Sequence, residues 1–179
     1  MKPLTLLLGG LAALPLAACD TFAADPPVVR SGAAAPAPAT ALLRDAAGRG
    51  RGTASALQVG DSIRVRIEVA GLPSGAHGAH VHTIGRCSPP DFSSAGPHWN
   101  PTSRQHGKDN PAGMHLGDLP NVMVGTDGRG ALEYMIARTY ISQMLDRDGA
   151  ALVIHAQADD GRSDPSGNSG GRIACGAFR

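Results

Sequence analysis

The chain has almost no net charge, few aromatic residues and no apolar stretch long enough to be a comfortable membrane helix. Its 16 Lys and Arg stand against 15 Asp and Glu, a formal charge of +1, so no long-range field recruits nucleic acid or an acidic membrane, and nucleic acid is not expected as a partner. Charged residues make up 17% and aromatics 3% of 179 residues, which excludes a coiled coil or a large helical bundle. The leading apolar run, residues 4–14, falls short of the roughly 20 residues that span a bilayer. Glycine and proline, by contrast, are plentiful at 24 and 14, a share expected of turn-rich β structure or of linkers. Hydrophobic residues at 42% still permit one core, and the length suits a single domain with appendages.

The appendage is expected at the front. Lys2 followed by the run Leu4 to Leu14 has the build of a secretion signal, and Leu16-Ala17-Ala18-Cys19 resembles the lipobox of bacterial lipoproteins. Residues 1–18 are expected to be a signal peptide removed in front of Cys19, whose thiol carries the lipid; the alternative is an ordinary signal peptide cut at an Ala. Two or three acyl chains anchor stably, so the membrane is an expected partner and the periplasmic side of a bacterial cell envelope the expected location. Residues 19–39, with Pro26-Pro27 and Ala35-Pro36-Ala37-Pro38, read as a flexible tether. The folded domain is expected over residues 40–179. Removal of residues 1–18 takes away Lys2 and no acid, leaving 15 basic and 15 acidic residues.

Residues 62–70 alternate Ile63, Val65, Ile67 and Val69 with Arg64, Arg66 and Glu68, the period of a strand with one face buried. Further apolar stretches at 41–43, 53–59, 79–84, 122–124, 131–137, 151–156 and 173–178 are set apart by turn signals such as Thr126-Asp127-Gly128. About eight short strands predict an all-β sandwich or barrel. Two connections, residues 88–118 and 156–171, are long enough to require an organising agent or a function. If Cys19 is acylated, Cys87 and Cys175 remain as an even pair in an oxidising setting. They form either a disulfide or two free buried thiols.

All seven histidines lie between positions 77 and 155. His80 and His82, two apart on a strand, project from one face about 7 Å apart and can grip one ion. The first long connection supplies His98, His106, His115 and Asp118, three imidazoles and a carboxylate that suit closed tetrahedral zinc. A solvated histidine-rich loop is the plainer reading of the same residues. His155, taken alone, reads as a core histidine.

Several segments in order resemble one family: His77-Gly78-Ala79-His80-Val81-His82, then Gly96-Pro97-His98-Trp99-Asn100, His115-Leu116-Gly117-Asp118, His155 through Asp160, and Gly167 to Gly176 with Arg172 and Cys175. Together they look like copper/zinc superoxide dismutase. The resemblance implies an eight-stranded Greek-key barrel with two long functional loops, and an antioxidant oxidoreductase that converts superoxide to oxygen and peroxide. It implies copper on His80, His82, His98 and His155, and zinc on His98, His106, His115 and Asp118, one ion of each per chain. His98 would bridge them and act in catalysis with Arg172, the cation at the copper channel. Asp159 would orient His80 and His106, with its solvated neighbour Asp160 the alternative, and His77 would support the barrel without binding metal. Family members occur as monomers and dimers, so a homodimer is among the implied partners.

The chain departs from the best-known eukaryotic members in two places. Ten residues separate Cys87 from His98, and the second loop carries Arg162 against Asp159, Asp160 and Asp164 without a lysine, which leaves steering to Arg172 and cations elsewhere. The competing functions are a periplasmic copper or zinc store or delivery protein on the same barrel, a copper-only dismutase, which the zinc ligands oppose, and a purely structural lipoprotein.

Overall fold

The computed structural model describes residues 37–179; the expected signal peptide, Cys19 and most of the tether lie outside them. Nine strands follow in order: β1 (Ala39–Arg44), β2 (Gly50–Val59), β3 (Ser62–Ala70), β4 (Gly75–His77), β5 (Ala79–His82), β6 (Val122–Val124), β7 (Arg129–Ile136), β8 (Ala151–His155) and β9 (Arg172–Ala177). A single turn of helix, α1 (Ile141–Met144), precedes β8.

β3 shows why the sequence makes a barrel. Ile63, Val65, Ile67 and Val69 are buried while Arg64, Arg66 and Glu68 are exposed, so one face enters the core and the other meets water. Each such aliphatic side chain contributes about 1.5–3 kcal/mol when fully buried. β8 is different: all five of its residues are buried. Leu152 and Ile154 join the main core, whereas Ala151 and Val153 pack with Phe92, Ala95 and Cys175 on the other side. The first long loop therefore covers the outer face of β8.

The strands form one antiparallel sheet in the order β4-β6-β7-β3-β2-β1-β9-β8-β5. After β3 the chain crosses to β4 and returns through β6 and β7, a Greek-key path. Since β4 and β5 are consecutive in the chain yet sit at opposite ends of the sheet, the sheet curls into a nearly closed barrel.

The eight expected strands are all present, and the ninth is β4. Residues 75–82 are one extended segment that changes partners at Gly78: His77 pairs with Val122 of β6 and Ala79 with Ile154 of β8. At the junction the Gly78 N–H donates to Gln157 O and the His155 N–H to Gly78 O, both at 2.8 Å. A Cβ at Gly78 would stand 2.9 Å from the Ser169 Cβ, so only glycine fits without displacement.

Cys87 and Cys175 are disulfide-bonded, with Cα atoms 5.6 Å apart. The bond closes a separation of 88 residues, worth about 4 kcal/mol on a chain-entropy account, and ties the first long loop to β9.

Candidate metal centre

The site lies where β5 is covered by the first long loop, residues 83–121. That loop is laced to β5 by backbone hydrogen bonds: Trp99 N–H to Val81 O at 2.7 Å, Val81 N–H to Gly117 O at 2.9 Å, and Gly117 N–H to Trp99 O at 2.8 Å. Gly117 is required at this crossing, because a Cβ there would run into the Val81 carbonyl. The lacing sets Asp118 opposite His80 and His98 opposite His82.

Four buried histidines, His80 and His82 from β5, His98 from the loop and His155 from the end of β8, form the first cluster, their nearest ring nitrogens within 4.8 Å of one another. The outward nitrogens of three of them are engaged. His80 Nε2 donates to Asp159 Oδ2 at 2.7 Å, His82 Nδ1 to Gly96 O at 2.8 Å, and His155 Nδ1 to Gly170 O at 3.1 Å. Carbonyl and carboxylate oxygens only accept, so these bonds fix each tautomer. They leave lone pairs on His80 Nδ1, His82 Nε2 and His155 Nε2, all buried and without a hydrogen-bond partner. An orphaned buried polar atom costs about 1–3 kcal/mol, and three converging on one point fit a metal that accepts imidazole.

The second cluster is centred on Asp118. Its Oδ2 is held by the N–H groups of Gly107 and His115, each at 3.0 Å. Its Oδ1 lies 2.9 Å from His98 Nδ1, 3.0 Å from His106 Nδ1 and 3.1 Å from His115 Nδ1. His106 Nδ1 has no aligned hydrogen bond despite that distance. A tetrahedron with zinc bonds of roughly 2.0–2.1 Å has edges of about 3.3 Å; the 3.4 Å between His98 Nδ1 and His115 Nδ1 matches that edge, and the distances to Asp118 are 0.2–0.4 Å shorter. His80 also lies within 4.8 Å of this group, but its Nε2 is taken by Asp159 and its Nδ1 belongs to the first cluster. His115 is the third ring on Asp118.

Burial dominates the electrostatics. It pushes the His80, His82 and His155 imidazoles down to about 3, 2 and 4, helped by the charge of His98 and, for the last two, of Arg172. His98 is lowered for the same first reason. His106 goes the other way: burial opposes its charge, but bonds to Asp118 and Asp159 raise it to about 9. Both carboxylates are held well below the ordinary range by His106 with His98 or His80, against the opposing pull of burial.

Asp159 joins the clusters, accepting from His80 Nε2 through Oδ2 and from His106 Nε2 through Oδ1 at 3.0 Å. Asp160 is exposed and binds only its own loop, through Ser163, Arg162 and Asn168. His77 stands apart, its ring nitrogens 2.8 and 2.9 Å from the carbonyls of His155 and Pro73. Arg172 begins β9 opposite His155, and its guanidinium donates to Phe92 O at 2.7 Å and Gly96 O at 2.9 Å. The same Gly96 carbonyl also orients His82.

Two participants escape a reading of residue types. Asn121 clamps Asp159 by two bonds, Nδ2 to its carbonyl at 2.9 Å and its N–H to Oδ1 at 2.8 Å. Asp164 accepts the His106 N–H at 2.6 Å, tying the second loop, residues 156–171, to the first. No spacing rule in the sequence signals either contact.

Two adjacent buried clusters of histidines and a carboxylate at one side of a Greek-key barrel define a metal-binding protein with room for two ions. A family model described as copper/zinc superoxide dismutase (SODC) matches residues 50–178. Superoxide dismutase [Cu-Zn] 1 of Aquifex aeolicus is 39% identical over 136 residues, 72% of this chain and 79% of that one. A crystal structure of a SOD-like protein from Bacillus subtilis superposes with a TM-score of 0.74 at 39% identity, over 78% of this chain and 97% of that one. The Cu/Zn superoxide dismutase from Brucella abortus gives 0.66 at 25% identity, over 80% and 100%. The chain belongs to the copper/zinc superoxide dismutase family. Its class of activity is superoxide dismutation, an oxidoreduction, with copper and zinc as the metals.

Proposed function

We propose that the chain is an envelope-anchored superoxide dismutase in which His98 joins a copper and a zinc ion. The observation that carries the bridge is the place of His98 in both clusters: Nδ1 lies against Asp118, and its ring centroid is 3.9 Å from that of His80, the rings tilted by 30°. His80, His82, His98 and His155 would hold copper; His98, His106, His115 and Asp118 would hold zinc. Copper, when bound, supplies the one-electron chemistry, taking an electron from one superoxide to give oxygen and giving it to a second to make peroxide.

The protein's own residues do the rest. With Nδ1 fixed on the Asp118 side, His98 keeps Nε2 for the first cluster, and this nitrogen, whenever it is not holding the metal, would take up a proton and pass it to the second superoxide. Arg172 is a fixed cation close enough to lower the charge affinity of His82 and His155, and there it attracts and orients a small anion. The carbonyls of Gly96 and Gly170 and the Asp159 carboxylate hold the rings in one orientation, which sustains ligand basicity.

Leu16-Ala17-Ala18-Cys19 supports the envelope location: a lipidated Cys19 would keep the domain outside the cytoplasm, to meet a charged radical that does not readily cross the membrane. The test of the anchor is the mass of the mature N-terminal peptide, expected to begin at an acylated Cys19. The test of the activity is superoxide decay by the purified chain, with copper and zinc measured on the same oxidised sample. Fast decay at one copper and one zinc per chain is expected. A second reading, metal storage or delivery, draws on the SOD-like name of the Bacillus subtilis neighbour; full metal loading without dismutation would select it.

A further inference from the structure

The charge that nearly cancels over the whole chain is unevenly placed. Residues 37–179 contain 14 Lys and Arg and 13 Asp and Glu. Beside the disulfide, between β1, β9 and the turn after β5, runs an open groove of about 700 Å³ lined by Arg44, Arg86 and Arg179, with Asp45 its one acidic side chain. That acid is already engaged: Asp45 Oδ2 accepts from Arg49 Nε and Arg51 Nη2, both at 2.8 Å. Among the described residues, no ion pair engages Arg44, Arg86 or Arg179, and all three are exposed. With Arg49 and Arg51 included, five cations face one acid, Asp45, a balance of +4. The remaining described residues, 9 basic and 12 acidic, then sum to −3. The positive excess of the domain thus lies beside this groove.

The positive end is also where the chain enters and leaves the barrel. Thr40 and Arg179 exchange backbone hydrogen bonds of 2.8 and 2.9 Å, and both line the groove. The described chain therefore starts its first strand at this face. Leu42, also in the groove wall, is 63% exposed and offers an apolar contact among the arginines.

We propose that this face docks on a layer of anionic phospholipid headgroups. The proposal takes its proximity to a membrane from the lipoprotein reading, but its charge argument stands without the acyl chains. Each arginine held near an anionic surface strengthens binding about fivefold, within a screening length of about 8 Å at physiological salt. Three exposed arginines around one groove, next to the point of attachment, turn a tethered domain into one held in a defined orientation.

The test uses residues 20–179, which hold the whole barrel and carry no acyl chain, loaded with copper and zinc, mixed with vesicles of phosphatidylcholine alone or of phosphatidylcholine with phosphatidylglycerol, and separated by flotation. Binding to the anionic vesicles is expected to exceed binding to the neutral ones and to fall as salt is raised. The triple variant Arg44→Glu, Arg86→Glu, Arg179→Glu is expected to lose at least about a hundredfold in that preference while it keeps dismutation, since none of the three belongs to the metal centre. The milder Arg179→Gln, expected to lose about fivefold, guards against misfolding of the triple variant. Equal binding to both vesicle types, or an unchanged preference in both variants, would overturn the proposal. The acylated chain on neutral vesicles reports the anchor alone, so a failure of the lipoprotein reading appears there and a failure of this one in the lipid preference of the chain without acyl groups.

Discussion

Asp159 and His106 sit on different loops, and a 3.0 Å bond from the imidazole Nε2 to the carboxylate Oδ1 fastens one loop to the other. Through its second oxygen Asp159 also fixes His80, so one carboxylate sets ring orientation in both clusters. In Asp159→Asn, one amide oxygen replaces two acceptors and an NH2 group faces a ring N–H. Zinc affinity is expected to fall about 10–100-fold, measured by chelator competition, with copper retained more firmly because three of its rings stand on strands.

His115 contributes only to the Asp118 cluster. His115→Ala is expected to lose zinc and, by freeing the Nδ1 side of His98, to slow dismutation. Zinc loss with superoxide decay at the wild-type rate would remove the bridging account.

Arg172 is held by two carbonyls, so its charge is fixed in place. Arg172→Ala is expected to lower kcat/KM about tenfold or more and to flatten its dependence on ionic strength, with metal content unchanged. An undiminished salt dependence would assign the steering to other cations.

Gly117→Ala sets a Cβ against the Val81 carbonyl. The loop must shift from β5, at a cost of about 1–3 kcal/mol, and Asp118 moves with it. Thermal unfolding of the metal-free and metal-loaded forms is expected to show a larger loss in the loaded protein.

Partial burial opposes ionisation of Asp45, but the Arg49 N–H and the side chains of Arg51 and Arg49 prevail and hold its carboxyl down to about 2, against an ordinary 3.8. The folded state thus keeps this charge at a pH where the unfolded chain binds a proton. The resulting stability is present above about pH 4 and lost as pH falls toward 2. Asp45→Asn is expected to lack that component, so the gap in Tm between wild type and variant should narrow from pH 5 to pH 2.

Much of the barrel was legible because β3 alternates strictly and the turns carry Gly and Asp. The break at Gly78 was not, since a change of sheet partner leaves no periodic trace in His77-Gly78-Ala79. The clustered histidines were visible by residue type, and the resemblance supplied an order for them. Their orienting groups were less accessible: Gly96 O and Gly170 O are backbone atoms that any residue possesses, and Asn121 reaches Asp159 across 38 positions. The groove arginines are scattered from position 44 to 179, and it takes the meeting of β1 with β9 and the Cys87–Cys175 disulfide to bring them together.

The two clusters differ in what must be ordered before an ion arrives. His80, His82 and His155 stand on strands of a hydrogen-bonded sheet, whereas His98, His106, His115 and Asp118 all belong to the single connection between β5 and β6. Occupying the first cluster is chiefly a matter of filling a framework. Occupying the second closes a long segment on itself, so the entropy of that closure is charged to zinc, and its affinity becomes a gauge of how firmly the loop is laced to β5.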